Sequence, residues 1–241
     1  MPPFIANLIP SKALAFELPR LTLADGTVEA LKWLALMLMT LDHINKYLLH
    51  ETVPALFASG RLALPLFGFI LAYNLARQGT LAKGGYSRAL KRLGIFGVIS
   101  SIPFIALGGL GWGWWPLNIM AMLFVATAVM YLVEQGGKWR LALAALLFLI
   151  GGGLVEFWWL GISMCLAAWI YCKKPNWPAL IAWIATIFGL YTINHNMWAL
   201  VALLLVFAAP SVRLNVPRLR LFFYAYYPAH LTLLWVLKSQ L

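Results

Sequence analysis

Long apolar stretches, separated by short polar ones, recur along the whole chain. A helix crossing a bilayer needs about 20 mostly apolar residues. Nine runs approach that length, at 28–49, 57–77, 89–108, 117–134, 139–155, 157–172, 178–194, 196–210 and 219–237. The fifth, sixth and eighth are short, which predicts tilted pairs or re-entrant segments and a total of eight or nine helices. The pattern therefore predicts an all-α fold, a polytopic transmembrane helical bundle. Asp25 and Thr27 are placed to cap the first helix, with Glu29 in its first turn. Pro116, Pro178 and Pro217 stand near the starts of later runs, where a missing N–H costs little. Pro65, Pro103 and Pro228 lie inside runs and are expected to kink them. Residues 1–27 carry no basic region ahead of their apolar stretch, and prolines interrupt it, unlike a cleaved signal. They predict an interfacial segment held by Phe4, Ile5, Leu8 and Phe16, ahead of a single membrane domain over 28–241.

Composition removes the soluble alternative. The chain is 63% hydrophobic and 10% charged, against roughly 45–50% and 25% in soluble domains. Its formal charge of +11 would suggest nucleic acid in a soluble protein, but no nucleic-acid motif accompanies it. Basic residues instead fill alternate loops. Arg77, Lys83, Arg88, Lys91 and Arg92 share one, Lys138 and Arg140 the next, then Lys173 and Lys174, then Arg213, Arg218 and Arg220. The intervening loops near 109–116, 151–156 and 194–196 have no Lys or Arg. Such alternation marks cytoplasmic loops facing anionic lipid. It predicts an amino terminus inside and, for nine helices, a carboxyl terminus outside, which in a bacterium is the periplasm. Cys165 and Cys172 lie seven apart in one apolar run, too awkward for a disulfide within one helix.

Ionisable groups inside hydrocarbon are costly and usually functional. Those that need explaining gather toward the outer face: Asp42, His43, Arg61, Asn118, Glu156 and His195. His43 lies about 22 Å into its helix, at about 1.5 Å per residue. A polar cavity opening outward satisfies them together. His43, Lys46 and His50 recur at helical spacing on one face. Two readings of Asp42 and His43 stay open. One is a general base with a supporting carboxylate; the other is an Asp42–Lys46 pair and a packing histidine. Arg61 fits either an anion or carbonyl site or a snorkelling anchor. His230 fits a second acid–base group or a helix-packing hydrogen bond. Asn118 and Glu156 fit substrate contacts or solvated helix ends. Arg88, Lys91 and Arg92, next to Gly84-Gly85, fit the phosphates of a cytosolic nucleotide cofactor, although cytoplasmic sidedness alone also predicts a basic loop. His43 and His50 are about 10 Å apart along the axis, too far for one metal ion. No nucleotide-loop or zinc-protease motif is present.

The stretches LKWLALMLMTLDHINKYLL (31–49) and GRLALPLFGFILAYNLARQG (60–79), with SSIPF (100–104), LNIM (117–120) and YYPAHL (226–231), resemble the TraX family of conjugation proteins. Most of the specificity lies in a Lys-led apolar helix ending in Met-x-x-Asp-His-Ile, then Gly-Arg-x-Ala-x-Pro-Leu-Phe. The resemblance implies an inner-membrane enzyme that acetylates the processed amino terminus of a conjugative pilin, with acetyl-CoA as donor. It carries the Asp-His mark to Asp42 and His43 and the Gly-Arg mark to Arg61. Asn45 departs from the pattern, where a glycine is expected. On this reading His43 is the base or an acetyl-accepting nucleophile, and Asp42 supports it electrostatically. Arg61 or Asn118 steadies the acceptor or the developing oxyanion, and Lys46, Glu156 and His230 bind substrate. The competing expectations are a non-enzymatic pilin chaperone or assembly factor, a transporter, and a different modification of pilin termini such as cyclisation. No clear internal repeat supports the transporter.

Overall fold

A computed structural model describes residues 18–241. Residues 1–17, and with them Phe4, Ile5, Leu8 and Phe16, lie outside the described residues. The described chain is helical apart from turns and one isolated bridge. The helices are α1 (Asp25–Tyr47), α2 (Pro54–Gly60), α3 (Ala63–Ala76), α4 (Gly85–Ala106), α5 (Ile119–Gln135), α6 (Lys138–Leu154) and α7 (Trp158–Lys173). They continue with α8 (Trp177–Gly189), α9 (Tyr191–Asn194), α10 (Val201–Ala208) and α11 (Phe222–Lys238). Since α2 runs into α3 and α8 into α9, and short 3-10 turns flank α10, the described residues form nine rods at the nine apolar runs.

Three of these rods, Pro54–Ala76, Gly85–Ala106 and Trp177–Asn194, are long and apolar enough to cross a membrane. The outer surface supports the same environment. Val98 and Ile102 on α4 are 73% and 66% exposed, Leu149 on α6 is 61%, and Leu204 on α10 is 71%. Apolar exposure on that scale, over several helices, is consistent with a membrane protein. Exposed Trp112, Trp139, Trp158 and Trp198 lie at rod ends and in the loops beside them, where amphipathic rings settle at headgroup depth.

Six rods close a ring. α1 packs on α3, α3 on α7, α7 on α5, α5 on α4, α4 on α11, and α11 returns to α1. The remaining rods lie outside it: α6 on α5 and α7, α8 on α7, and α10 on α3. The short α7 is buried over most of its length, through Ile162, Met164, Cys165, Ala168 and Tyr171.

Several local expectations need correction. Thr27 does not cap α1; its hydroxyl donates to the Val212 carbonyl at 2.6 Å and accepts from Leu214 N at 3.3 Å. It thus ties the α10–α11 loop to α1. Gly26 permits that approach, since a Cβ there meets the Leu214 carbonyl oxygen at 2.0 Å. Pro103 and Pro228 do lie inside helices, α4 and α11, as the pattern has them. Pro65 instead stands in the first turn of α3, just past a break at Arg61 and Leu62. Proline has no N–H to return to the carbonyl four residues back, here that of Arg61, so the ladder lapses there. His50 is also off its expected face, because α1 ends at Tyr47 and His50 is an exposed turn residue with φ 51°.

Candidate functional site

The ring encloses a cavity of about 1100 Å³. One end is lined by Lys32, Arg77, Lys83, Arg88, Arg92, Arg218 and Arg220. The other holds Asp42, His43, Lys46, Arg61, Glu156 and Tyr227. Between them lies an apolar throat that includes Met39, Phe67, Leu71, Met120 and Leu123. Lys32 and His43 both belong to α1, so the two ends are separated by roughly 16 Å of helical rise.

His43 and His230 meet across the α1–α11 contact, His43 Nδ1 to His230 Nε2 at 2.7 Å. His230 Nδ1 also lies 3.0 Å from the Tyr226 carbonyl oxygen. A carbonyl can only accept, so His230 Nδ1 carries a proton, and its Nε2 is the acceptor in the neutral ring. His43 must then donate through Nδ1. The chain Tyr226–His230–His43 therefore fixes one tautomer of His43 and leaves its Nε2 as a lone pair on a ring that lines the cavity. His230 is 5% exposed, stands behind His43 and does not itself line the cavity.

Asp42 does not support His43 directly. Neighbours on a helix point about 100° apart, and the Asp42 carboxylate instead accepts from Arg61. Arg61 Nε also donates to the Phe57 carbonyl at 3.2 Å, and one terminal nitrogen donates to Asn194 Oδ1 at 3.4 Å. The guanidinium lies 4.2 Å from the Phe57 ring centroid. A guanidinium has five N–H groups, so about two remain for a ligand. The glycine of the Gly-Arg mark now has a physical reason. A Cβ on Gly60 comes within 2.4 Å of Asp42 Cβ and 2.6 Å of its Cγ. Only a bare backbone lets α2 approach α1 closely enough for the pair to form.

Other sequence candidates separate by environment. Lys46 lines the cavity one turn beyond His43. Glu156 lines it from the α6–α7 turn, and burial pushes its carboxyl up to about 7, with Lys46 and Arg61 opposing. Asn118 is 1% exposed and fully employed as the cap of α5. Its Oδ1 accepts from Met120 N and Ala121 N, and its Nδ2 donates to the Gly97 carbonyl and Ser101 Oγ, both at 3.0 Å. No group of Asn118 remains for a ligand. Arg88 and Arg92 line the basic end, whereas Lys91 is exposed and lies off the lining. Asn45 Oδ1 accepts from Val53 N at 3.0 Å, so the departure from glycine anchors the α1–α2 loop. Among the described residues, no group of three His, Cys, Asp or Glu side chains could hold a metal ion.

Sequence reasoning missed Asn194 as an Arg61 partner and missed the His43–His230 pair, which joins residues 187 apart. No local spacing marks either. The resemblance had placed YYPAHL beside the Asp-His mark but gave no contact between them.

No solved structure matches the chain. Two curated relatives, each named Protein TraX, from Escherichia coli and from its strain K12, are 32% identical over 131 residues. That alignment covers 54% of this chain and spans about half the length of either relative. The family model described as TraX protein matches residues 27–238, which takes in both ends of the cavity and all of the ring but the first two residues of α1, so the chain belongs to the TraX family.

Proposed function

We propose that the chain is the amino-terminal acetyltransferase of a conjugative pilin, drawing acetyl from cytosolic acetyl-CoA in a bacterial inner membrane. One observation carries the reading: a single cavity joins a cluster of cations to a histidine with a free lone pair. Basic loops belong on the cytoplasmic side. The donor's phosphates then meet Arg88, Arg92, Arg218 and Arg220 there, and its narrow thioester arm follows the apolar throat to His43. The pilin's new amino terminus comes from the periplasmic side, where Lys46, Arg61 and Glu156 line the other end. The cavity suits a donor and an acceptor that never share a compartment.

His43 Nε2 takes a proton from the amine as nitrogen bonds to the acetyl carbon. The remaining Arg61 N–H groups stabilise the developing oxyanion. The C–S bond then breaks, and His43 returns the proton to the departing thiolate. His230 stabilises the transient imidazolium through the Nδ1 bond. Asp42 acts through Arg61, holding the guanidinium beside the cavity.

The test is the intact mass of the mature cognate pilin from cells carrying the wild-type chain, carrying His43→Ala, and lacking the gene. An acetyl increment seen only with the wild type, with the variant present in the membrane, supports the reading. Loss of one water points to cyclisation. One mass in all three cells moves the assembly-factor reading to the front.

A further inference from the structure

We propose that Glu156 is a second catalytic base, which receives the acceptor as an ammonium ion and removes its first proton before attack. This assignment rests on the acetyltransferase reading.

The need for it is chemical. An α-amino group has a pKa of about 7.7–8.0, so at neutral pH it arrives mostly as ammonium, with no lone pair. Making an amide from an ammonium removes two protons from nitrogen. His43 has one lone pair, which is needed during attack and then for the thiolate. The other proton requires its own acceptor on the amine's path.

Glu156 is the carboxylate available for it. Asp42 is committed to Arg61, and Glu51 lies exposed on the α1–α2 loop. Glu156 takes part in none of the ion pairs among the described residues. Its backbone is held rigidly. Leu117 N donates to the Leu154 carbonyl at 2.8 Å, and Glu156 N donates to the Leu117 carbonyl at 2.9 Å, bridging the α4–α5 connection to the α6–α7 turn. Directly after it, Phe157 and Trp158 take φ values of 59° and 49°. Two successive left-handed residues without glycine are strained, and such strain persists only where surrounding structure enforces it. That turn brings the Glu156 carboxylate into the cavity lining.

The charged and titratable groups around it are Asp42, Lys46 and Tyr47 from α1, Arg61 from the α2–α3 break, and Tyr227 from α11. Their balance with burial holds the carboxyl near neutrality, where it can take a proton and release it again. In the full sequence, the Glu156 carboxylate takes a proton from R–NH3⁺ to give R–NH2. The amine then attacks the thioester, the N–C bond forms and the C–S bond breaks. His43 carries the second proton from nitrogen to sulfur, and Glu156 returns the first to water. Ammonium and thioester become amide, thiol and one released proton.

The test uses the full chain in lipid vesicles with acetyl-CoA and a peptide copy of the pilin amino terminus, comparing wild type with Glu156→Gln and Glu156→Asp. Wild-type kcat/KM should fall as pH drops through about 7, because the carboxylate must be ionised to act. Glu156→Gln should lose about 10-fold at pH 7, where only about a tenth of an amine of pKa about 7.7–8.0 is neutral, and recover almost fully at pH 9, where the peptide amine is already neutral. Glu156→Asp should keep most of the activity. A peptide ending in an aminooxy group, neutral at pH 7, should restore Glu156→Gln at that pH. Equal loss at every pH and with both nucleophiles makes Glu156 a structural residue and overturns the assignment, as does no loss at all. A wild-type chain that acetylates no acceptor defeats the acetyltransferase reading itself, and this assignment falls with it.

Discussion

His230→Ala removes the acceptor of the His43 Nδ1 bond at 2.7 Å. The His43 ring then has a buried donor with no partner, which costs about 1–3 kcal/mol. It is also free to turn or to move its proton to Nε2. Either change removes the lone pair from the reacting position. At about 1.4 kcal/mol per factor of ten, kcat should fall about 10–100-fold while the protein remains in the membrane. His230→Gln can offer its amide oxygen near the same place and should keep more activity. A second readout does not depend on the reaction. The chain has four histidines, so ¹⁵N-histidine labelling yields a short spectrum, assignable by single substitutions. In the wild type at neutral pH, His43 should show a protonated Nδ1 and an unprotonated Nε2. In His230→Ala the two nitrogens should move toward a mixture of tautomers. A His43 that carries its proton on Nε2 in the wild type, or a His230→Ala enzyme at full rate, refutes the tautomer argument.

The remaining expectations concern how the site is built. Gly60→Ala puts a methyl 2.4 Å from Asp42 Cβ, so α2 must move off α1 at a cost of about 1–3 kcal/mol. Acetylation should fall with it, and an unchanged thermal midpoint in detergent with full activity counts against the close-approach explanation. Asn118→Ala removes the α5 cap and both hydrogen bonds to α4. It should destabilise by about 2–4 kcal/mol, lowering the thermal midpoint, while the molecules that remain folded keep their donor affinity. A weakened donor affinity with unchanged stability gives Asn118 a binding role after all.

Much of this fold was legible in the order of residues. The nine apolar runs became nine rods among the described residues, three of them long and apolar enough to cross a membrane, where a backbone finds no hydrogen-bond partners except its own. Alternating basic loops likewise placed one set of cations together without any knowledge of packing. The candidate site divides differently. Asp42, His43 and Arg61 were visible because a charged or ionisable group in an apolar run is expensive and stands out. Their connections were not. Adjacency in sequence suggested an Asp42–His43 pair, whereas helical geometry turns those side chains apart and gives Asp42 to Arg61 and His43 to His230. Asn118 looked equally polar and equally placed, yet its hydrogen bonds are all spent on a helix end. Which polar group is free and which is used depends on partners up to 187 residues away. Local pattern encodes how far each residue sits along its rod. Only the closure of α1, α3, α7, α5, α4 and α11 into a ring decides which residues share a cavity, because that depends on how each rod is rotated about its axis.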